Sequence, residues 1–441
     1  MEVPMSSKRS MNASKVSMSA SLDASDEARY RNRRFVLFLL IVVYTLNFLD
    51  RQILSILKEP IAAELHLSDS DLGLLGGFAF ALFYSVLALP AAWLADRFSR
   101  VWMMTGALAL WSGFTALCGS AANFSMLFLA RMGVGVGEAG GVAPAYSLIA
   151  DYFPPRAHAR ALAVYSFGIP IGAAAGILFG GLVAKAVNWR FAFLAIGVVG
   201  IVLAPVFRAL VADPLRSKTL AAATPRLFEV AKLAASKPAF WLLAFGAGCS
   251  SLVAYGFLYW LPTFLARSLG MDIVTRSEFL ATIVLVAGIA GMALGGWLAD
   301  WLGQRTRRAY ALIPAAAFLA SAPLYALGIL AQTSQEAFWL FLVPQALGLV
   351  WLGPVLTAVQ HLSPPASRST MSALFLLINN LIGLGVGPYF FGKMSDMLRA
   401  THGDESIKYA FLYGLGFYLL AALLMSLASR CIARDWVEDA T

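Results

Sequence analysis

The sequence predicts an all-α membrane protein, with twelve transmembrane helices in two pseudo-symmetric six-helix bundles. Three observations lead there. Apolar residues make up 60% of the 441 positions and charged residues only 13%, with a mean hydropathy of +0.74, whereas a soluble domain carries about 25% charged residues. Twelve stretches are long and apolar enough to cross ~30 Å of hydrocarbon, which takes about 20 helical residues. A local sequence closing the second stretch recurs at the close of the eighth.

The elements follow in order. Residues 1–34 are rich in Ser and Met, carry seven Lys or Arg, and lack the apolar core and cleavage site of a secretory signal; they read as a disordered cytoplasmic tail. Spans are expected at 35–57, 72–95, 101–121, 124–150, 159–186 and 189–211, forming an amino-terminal bundle over 35–211. A cytoplasmic linker, 212–238, holds Pro214, Pro225 and Pro238 and five basic against two acidic residues. Spans at 239–266, 277–300, 309–331, 336–361, 367–394 and 407–431 form the carboxyl-terminal bundle over 239–431, and 432–441 is a second cytoplasmic tail.

Orientation follows from Lys and Arg. With the amino terminus inside, the cytoplasmic segments carry 23 of them and the opposite side 8; Arg51 and Arg131 fall within spans. Both termini are therefore expected in the cytoplasm of a multi-pass protein, in a bacterial inner membrane. The net charge of +9 is read as this topogenic signal, and no nucleic-acid partner is expected. Three cysteines sit in or beside apolar runs and four histidines are scattered, so neither a metal nor a cofactor is predicted.

The halves echo one another. AWLADRFSR at 92–100 and GWLADWLGQR at 296–305 align Trp93 with Trp297 and Asp96 with Asp300; Pro154, Pro155 and Arg160 before span five match Pro364, Pro365 and Arg368 before span eleven. Parallel six-span repeats are one way secondary transporters are built, with substrate held between the halves near the midplane. The repeated turn marks Asp96, Arg97, Arg100 and Asp300 as a candidate cytoplasmic gate, Asp96 bracing the other half.

Together with Arg131-x-Gly133-x-Gly135 and Gly168-Ile-Pro-Ile-Gly172, these features resemble the major facilitator superfamily over nearly the whole chain. Within it, NFLDRQILSIL at 47–57 and RMGVGVGEAGGVAPAYSLIADYFPPRAHARALAVY at 131–165 are similar to the Spinster group, whose animal members move sphingosine phosphate and lysolipids.

Intramembrane charges supply the candidate site. A charge at bilayer centre costs about 2.5–3.5 kcal/mol by insertion scales, so such residues are usually functional. Asp50, Arg51, Arg131 and Glu138 qualify. Arg131 and Glu138 lie about 20° apart in azimuth and ~10.5 Å apart along one helix face. Tyr44, Asn47, Asp50, Arg51 and Ser55 share a broad polar stripe on span one. Depths counted from the expected helix ends put Asp50 and Arg51 ~23 Å, and Arg131 ~20 Å, from the cytoplasmic edge, so Asp50 is expected to pair with Arg131. Glu138 comes out ~9 Å from that edge, nearer Tyr44. Asp50 and Glu138 are expected to couple protons, with Arg51, Arg131, Tyr44 and Asn47 as substrate-binding or ion-pair partners. The resemblance implies the same roles for the span-one carboxylate Asp50 and the span-four arginine Arg131.

Glycines at four-residue spacing let backbones approach. Gly133, Gly137 and Gly141 face away from Arg131, while Gly168, Gly172, Gly176 and Gly180 on span five, and Gly288, Gly291 and Gly295 on span eight, suit either a sliding interface between halves or static helix packing. Gly383, Gly385, Gly387 and Pro388 mark a candidate flexible point in span eleven. Spans seven and ten are aromatic, with Tyr255, Tyr259, Trp260, Trp339 and Trp351 among their rings; such stripes more often face lipid or the core, but facing the charged half they would offer an apolar wall to a substrate tail.

No enzyme is predicted: Gly135-x-Gly137-x-x-Gly140 lacks the preceding strand that a nucleotide loop needs. The expected function is proton-coupled secondary transport of an amphipathic, lipid-like substrate of lysolipid or sphingoid type by a monomer in contact with membrane lipid. A small organic anion transporter and a multidrug antiporter are the alternatives.

Overall fold

The computed structural model describes residues 32–95, 97–213, 227–303 and 305–437. The expected tail over 1–31, Asp96, Pro214, Pro225, Gln304 and residues 438–441 lie outside them. Every regular element among the described residues is helical. Side chains cap several helix starts: Asn123 accepts from the Met126 amide at 2.9 Å, Asn188 from Phe191 at 2.8 Å, and Ser68 forms a capping box with Asp71.

Among the described residues, eleven helical runs are long and apolar enough to cross a membrane. The last, Arg368–Asp435, has 68 residues, far more than one crossing needs. It turns at Gly403, whose φ of 56° only glycine adopts readily, and folds back on itself, giving two spans and twelve in all.

Most helices overshoot their expected ends, while spans three, six and nine stop one or two residues short. Span one is Arg33–Leu65, continuing through Lys58 and Glu59 and past Pro60 before His66 enters the left-handed region. Span two is Asp69–Gly76 followed by Phe78–Ala95, and span three is Arg100–Gly119. Span four breaks at Gly140 and Gly141 into Phe124–Ala139 and Val142–Tyr152; span five is Pro155–Ser166 and Gly168–Ala186; span six is Trp189–Leu210. In the second half, span seven is Pro238–Leu269, span eight Ile273–Gly303 and span nine Ala309–Leu330. Span ten is Ser334–Leu347 with Leu352–His361, and span eleven is Arg368–Asn380, a π-turn at Leu381–Val386, and Gly387–His402. Span twelve is Ser406–Gly414 with Gly416–Asp435.

Within the expected linker, Leu227–Ala235 is helical and buries Val230 and Ala234. The expected tail from 432 is instead packed: Trp436 stacks on His361, and the Val437 amide donates to the His361 carbonyl at 2.7 Å.

Each half packs its own six spans. Across the halves, span two meets span eleven, span five meets span eight, and span one meets span seven. The first two contacts are equivalents under the repeat. Both described chain ends lie on one side of the bundle, called here the terminal side.

Candidate functional site

Asp50 and Arg131 come together as the sequence predicts. Asp50 Oδ1 stands 3.6 Å from Arg131 Nη1, both side chains almost fully buried. This is ionic contact without a hydrogen bond: Asp50 Oδ1 and Arg131 Nε and Nη1 have no hydrogen-bond partner among the described residues. The other carboxylate oxygen of Asp50 accepts from the Thr115 hydroxyl of span three, a residue that the sequence reading missed because a threonine in an apolar run carries no signal.

The second pair corrects the expected position of Glu138. Arg51 Nε donates to Glu138 Oε2 at 2.7 Å, and the carboxylate is fully buried. The expected depth of Glu138 was counted down from residue 124 across ~30 Å of hydrocarbon, whereas the whole of span four is ~43 Å long. Span one has 33 residues and span four 29, both far longer than the hydrocarbon core. Arg51 and Glu138 each fall near the middle of their helix, at a common depth. The Arg51 guanidinium also lies over the rings of Phe48 at 4.8 Å, Phe80 at 4.8 Å and Tyr84 at 4.3 Å, a partial aromatic box.

Both arginines line a narrow cavity between the halves. Phe48, Gln52 and Phe80 complete its amino-terminal wall; Tyr255, Leu258 and Tyr259 of span seven and Leu384 and Pro388 of span eleven form the other. One wall is thus polar and charged, the other aromatic and apolar. Span ten does not contribute as expected. Trp339 is 61% exposed on the outside, and Phe341 and Trp351 are buried within their own half. Tyr44 and Asn47 face a separate pocket of about 220 Å³ inside the amino-terminal half, where Tyr44 stacks on Tyr165 at 4.3 Å.

Hydrogen bonds join the halves on the side away from the termini. Lys58, wholly buried, donates to the Tyr259 carbonyl, with its ammonium 3.9 Å from the Trp260 ring centroid. The Tyr259 hydroxyl donates to the Leu72 carbonyl at 2.7 Å. Arg267 of span seven donates to both oxygens of Asp69 at 2.8 and 2.9 Å and stands 3.4 Å from Glu59. Ser395 of span eleven donates to Asp69 at 2.7 Å, and Asp396 accepts from the amides of Asp69 and Ser70, at the positive end of a short helix. Pro388 and Gly385 carbonyls press on Gly73 and Gly77, so the span-eleven glycines sit at this closure. The sequence hid it because Lys58 reads as the end of span one.

On the terminal side, Arg100 pairs with Asp151 at the end of span four, in the same half. Arg97 is exposed and covers Trp93, its guanidinium 3.8 Å from the ring centroid; Asp300 is exposed. The cross-half brace expected of Asp96 falls outside the described residues.

The span-five glycine ladder does not face the other half, although Gly181 beside it packs against Ser277 of span eight. A Cβ at Gly168 would meet Tyr44 at 3.1 Å, one at Gly172 the Thr45 carbonyl and one at Gly176 the Leu49 carbonyl, all on span one. Gly291 and Gly295 press on Ala346 and Val350 of span ten, in their own half. A Cβ at Gly288 would meet Pro170 of span five at 2.9 Å, so Gly288 does lie between halves. Regular spacing identifies a close-packed face without identifying what packs there. In span four, Gly133 and Gly137 admit Phe114 and Trp111 of span three, while Gly135 admits the Phe80 carbonyl of span two. The apparent nucleotide spacing is two packing faces of one helix.

Twelve spans in two repeated halves, closed on one side over a charged internal cavity, define a multi-pass membrane transporter rather than an enzyme. The family model described as Major Facilitator Superfamily matches residues 40–388, and the chain belongs to that superfamily. An MFS-type efflux pump of Mycolicibacterium smegmatis is 33% identical over 431 residues, 96% of this chain and 99% of that one. Protein spinster of Drosophila melanogaster is 29% identical over 395 residues, 85% of this chain and 64% of that one. Among solved structures, a bacterial homolog of the human lysosomal transporter Spinster, inward-facing and unoccupied, superposes with a TM-score of 0.84 at 30% identity, covering 92% of this chain and 99% of that one.

Proposed function

We propose that the protein is a proton-coupled transporter of an amphipathic, lipid-like substrate with an anionic head, working by alternating access with its termini in the cytoplasm. The observation that carries this reading is the pair of buried ion pairs, Asp50 with Arg131 and Glu138 with Arg51, at one wall of a cavity whose other wall is apolar. Each arginine is held by a carboxylate that a substrate phosphate or carboxylate can displace. A displaced carboxylate in a dry site takes a proton more readily, which links substrate to proton. Span seven gives the tail a surface in Tyr255, Leu258 and Tyr259. The closure at Lys58, Asp69 and Arg267 lies on the side away from the termini, which this reading makes the periplasmic side.

Similarity to spinster proteins supports the lipid-like substrate, and similarity to the mycobacterial efflux pump favours a second reading, export of varied amphipathic compounds. The test is uptake of labelled lysophospholipid into liposomes holding the purified protein, with and without an imposed pH gradient. Saturable uptake that the gradient accelerates is expected. Uptake indifferent to the gradient, or competed by a short organic acid but not by lysolipid, contradicts the reading.

A further inference from the structure

Spans eight and nine are consecutive, yet both pack more extensively on span ten than on each other. Where they part, a groove of about 990 Å³ opens on the outer surface of the carboxyl-terminal half, far from the central cavity. Leu298, Leu302, Leu312 and Ala316 are among the residues that line its sides. Its floor, with Ala309, Ile313, Ala317 and Val350, is a small apolar cluster separate from the main core. Small side chains on span nine create the space: Ala309, Ala316, Ala317 and Ala320 follow one face of that helix, and the groove runs ~16 Å from Ala309 to Ala320.

The groove's mouth is cationic. Leu302, Thr306 and Ala309 line it at the terminal side, and Arg305, Arg307 and Arg308 occupy the same turn. Arg305 and Arg308 are exposed, and no Asp or Glu occurs anywhere from 301 to 335. Exposed Trp297 and Trp301 stack at 5.6 Å beside the mouth, with the Arg305 guanidinium 4.9 Å from the Trp301 ring centroid. Tryptophan at this depth marks the level of lipid headgroups. An apolar channel beneath two exposed arginines, which outnumber the one acid of this turn, Asp300, matches the chemistry of a phosphate carrying a long hydrocarbon tail.

We infer that this groove is a specific site for an anionic diacyl phospholipid of the surrounding leaflet, with its phosphate on Arg305 and Arg308 and one acyl chain along span nine. It is distinct from the transport cavity and would hold spans eight and nine at a fixed separation.

Native mass spectrometry of the full chain, released from detergent with equimolar dioleoylphosphatidylglycerol and dioleoylphosphatidylcholine, tests this. The native chain should retain one phosphatidylglycerol in preference to phosphatidylcholine. The double substitution Arg305→Gln with Arg308→Gln should lower that preference roughly 10- to 30-fold, whereas Arg305→Lys with Arg308→Lys should keep most of it. Ala316→Phe should fill the channel and release both lipids. Equal retention of the two lipids, or a preference that survives the Gln pair, overturns the inference. Disulfide formation between two chains through Leu312→Cys in liposomes would show a second copy covering the groove and overturn it as well. That readout does not depend on whether Ala316→Phe folds.

Discussion

Asp69→Asn should unlatch the closed side, and the structure sets the size of the effect. Asp69 is 2% exposed; it receives two hydrogen bonds from Arg267 at 2.8 and 2.9 Å and a third from Ser395 at 2.7 Å. Hydrogen bonds to charged groups contribute about 1.5–3 kcal/mol each, roughly twice a neutral one. The amide keeps the shape and one acceptor oxygen but loses the charge and one arginine contact. Glu59, 3.4 Å from Arg267, continues to compensate the guanidinium, so the fold should survive. A net loss of about 1.5–3 kcal/mol from the closed state alone shifts the equilibrium toward opening about 10- to 150-fold. The assay labels Leu258→Cys, in the cavity wall, with a membrane-impermeant maleimide applied to whole cells, after Cys118, Cys249 and Cys431 are replaced by serine or alanine. Labelling should accelerate by that factor in Asp69→Asn. An unchanged rate in a folded, membrane-inserted variant would refute the latch.

Arg51→Lys keeps the charge but loses the planar contact with Phe48, Phe80 and Tyr84 and the Nε hydrogen bond to Glu138; apparent substrate affinity should fall about tenfold or more, read as half-saturation in uptake. Gly176→Leu drives a side chain into the Leu49 backbone, so overpacking should cost at least about 1–3 kcal/mol and lower the melting temperature in detergent. Gly288→Val presses on Pro170 between the halves and should slow transport with a smaller change in melting temperature.

The charged site was legible in the sequence to the extent that helix geometry alone could determine it. Azimuth put Arg131 and Glu138 on one stripe and Asp50 with Arg51 on another, and depth matched Asp50 to Arg131. Depth failed for Glu138 because a hydrocarbon thickness of ~30 Å was measured down from residue 124, whereas span four has 29 residues and is ~43 Å long. At the far end of span one, helical hydrogen bonding continues past the apolar run, through Lys58 and Glu59. That extension hid Lys58, which reads as a boundary residue and is wholly buried against span seven. Asp151 escaped notice for a related reason: nothing local shows that a carboxylate ending span four meets Arg100. Glycine ladders announce a close approach, yet the approaching helix follows from tertiary arrangement: span five does meet span eight, but its glycine ladder packs on span one.

The central claim is that substrate and proton share the ion pairs of Asp50 and Glu138. Its most direct test is proton movement driven by substrate alone, in liposomes loaded with a pH-sensitive dye and given a lysophospholipid gradient at equal pH. The native protein should shift the internal pH, and Asp50→Asn and Glu138→Gln should abolish the shift while Asp50→Asn retains exchange of labelled for unlabelled substrate. A pH shift of native size in both variants would contradict the account.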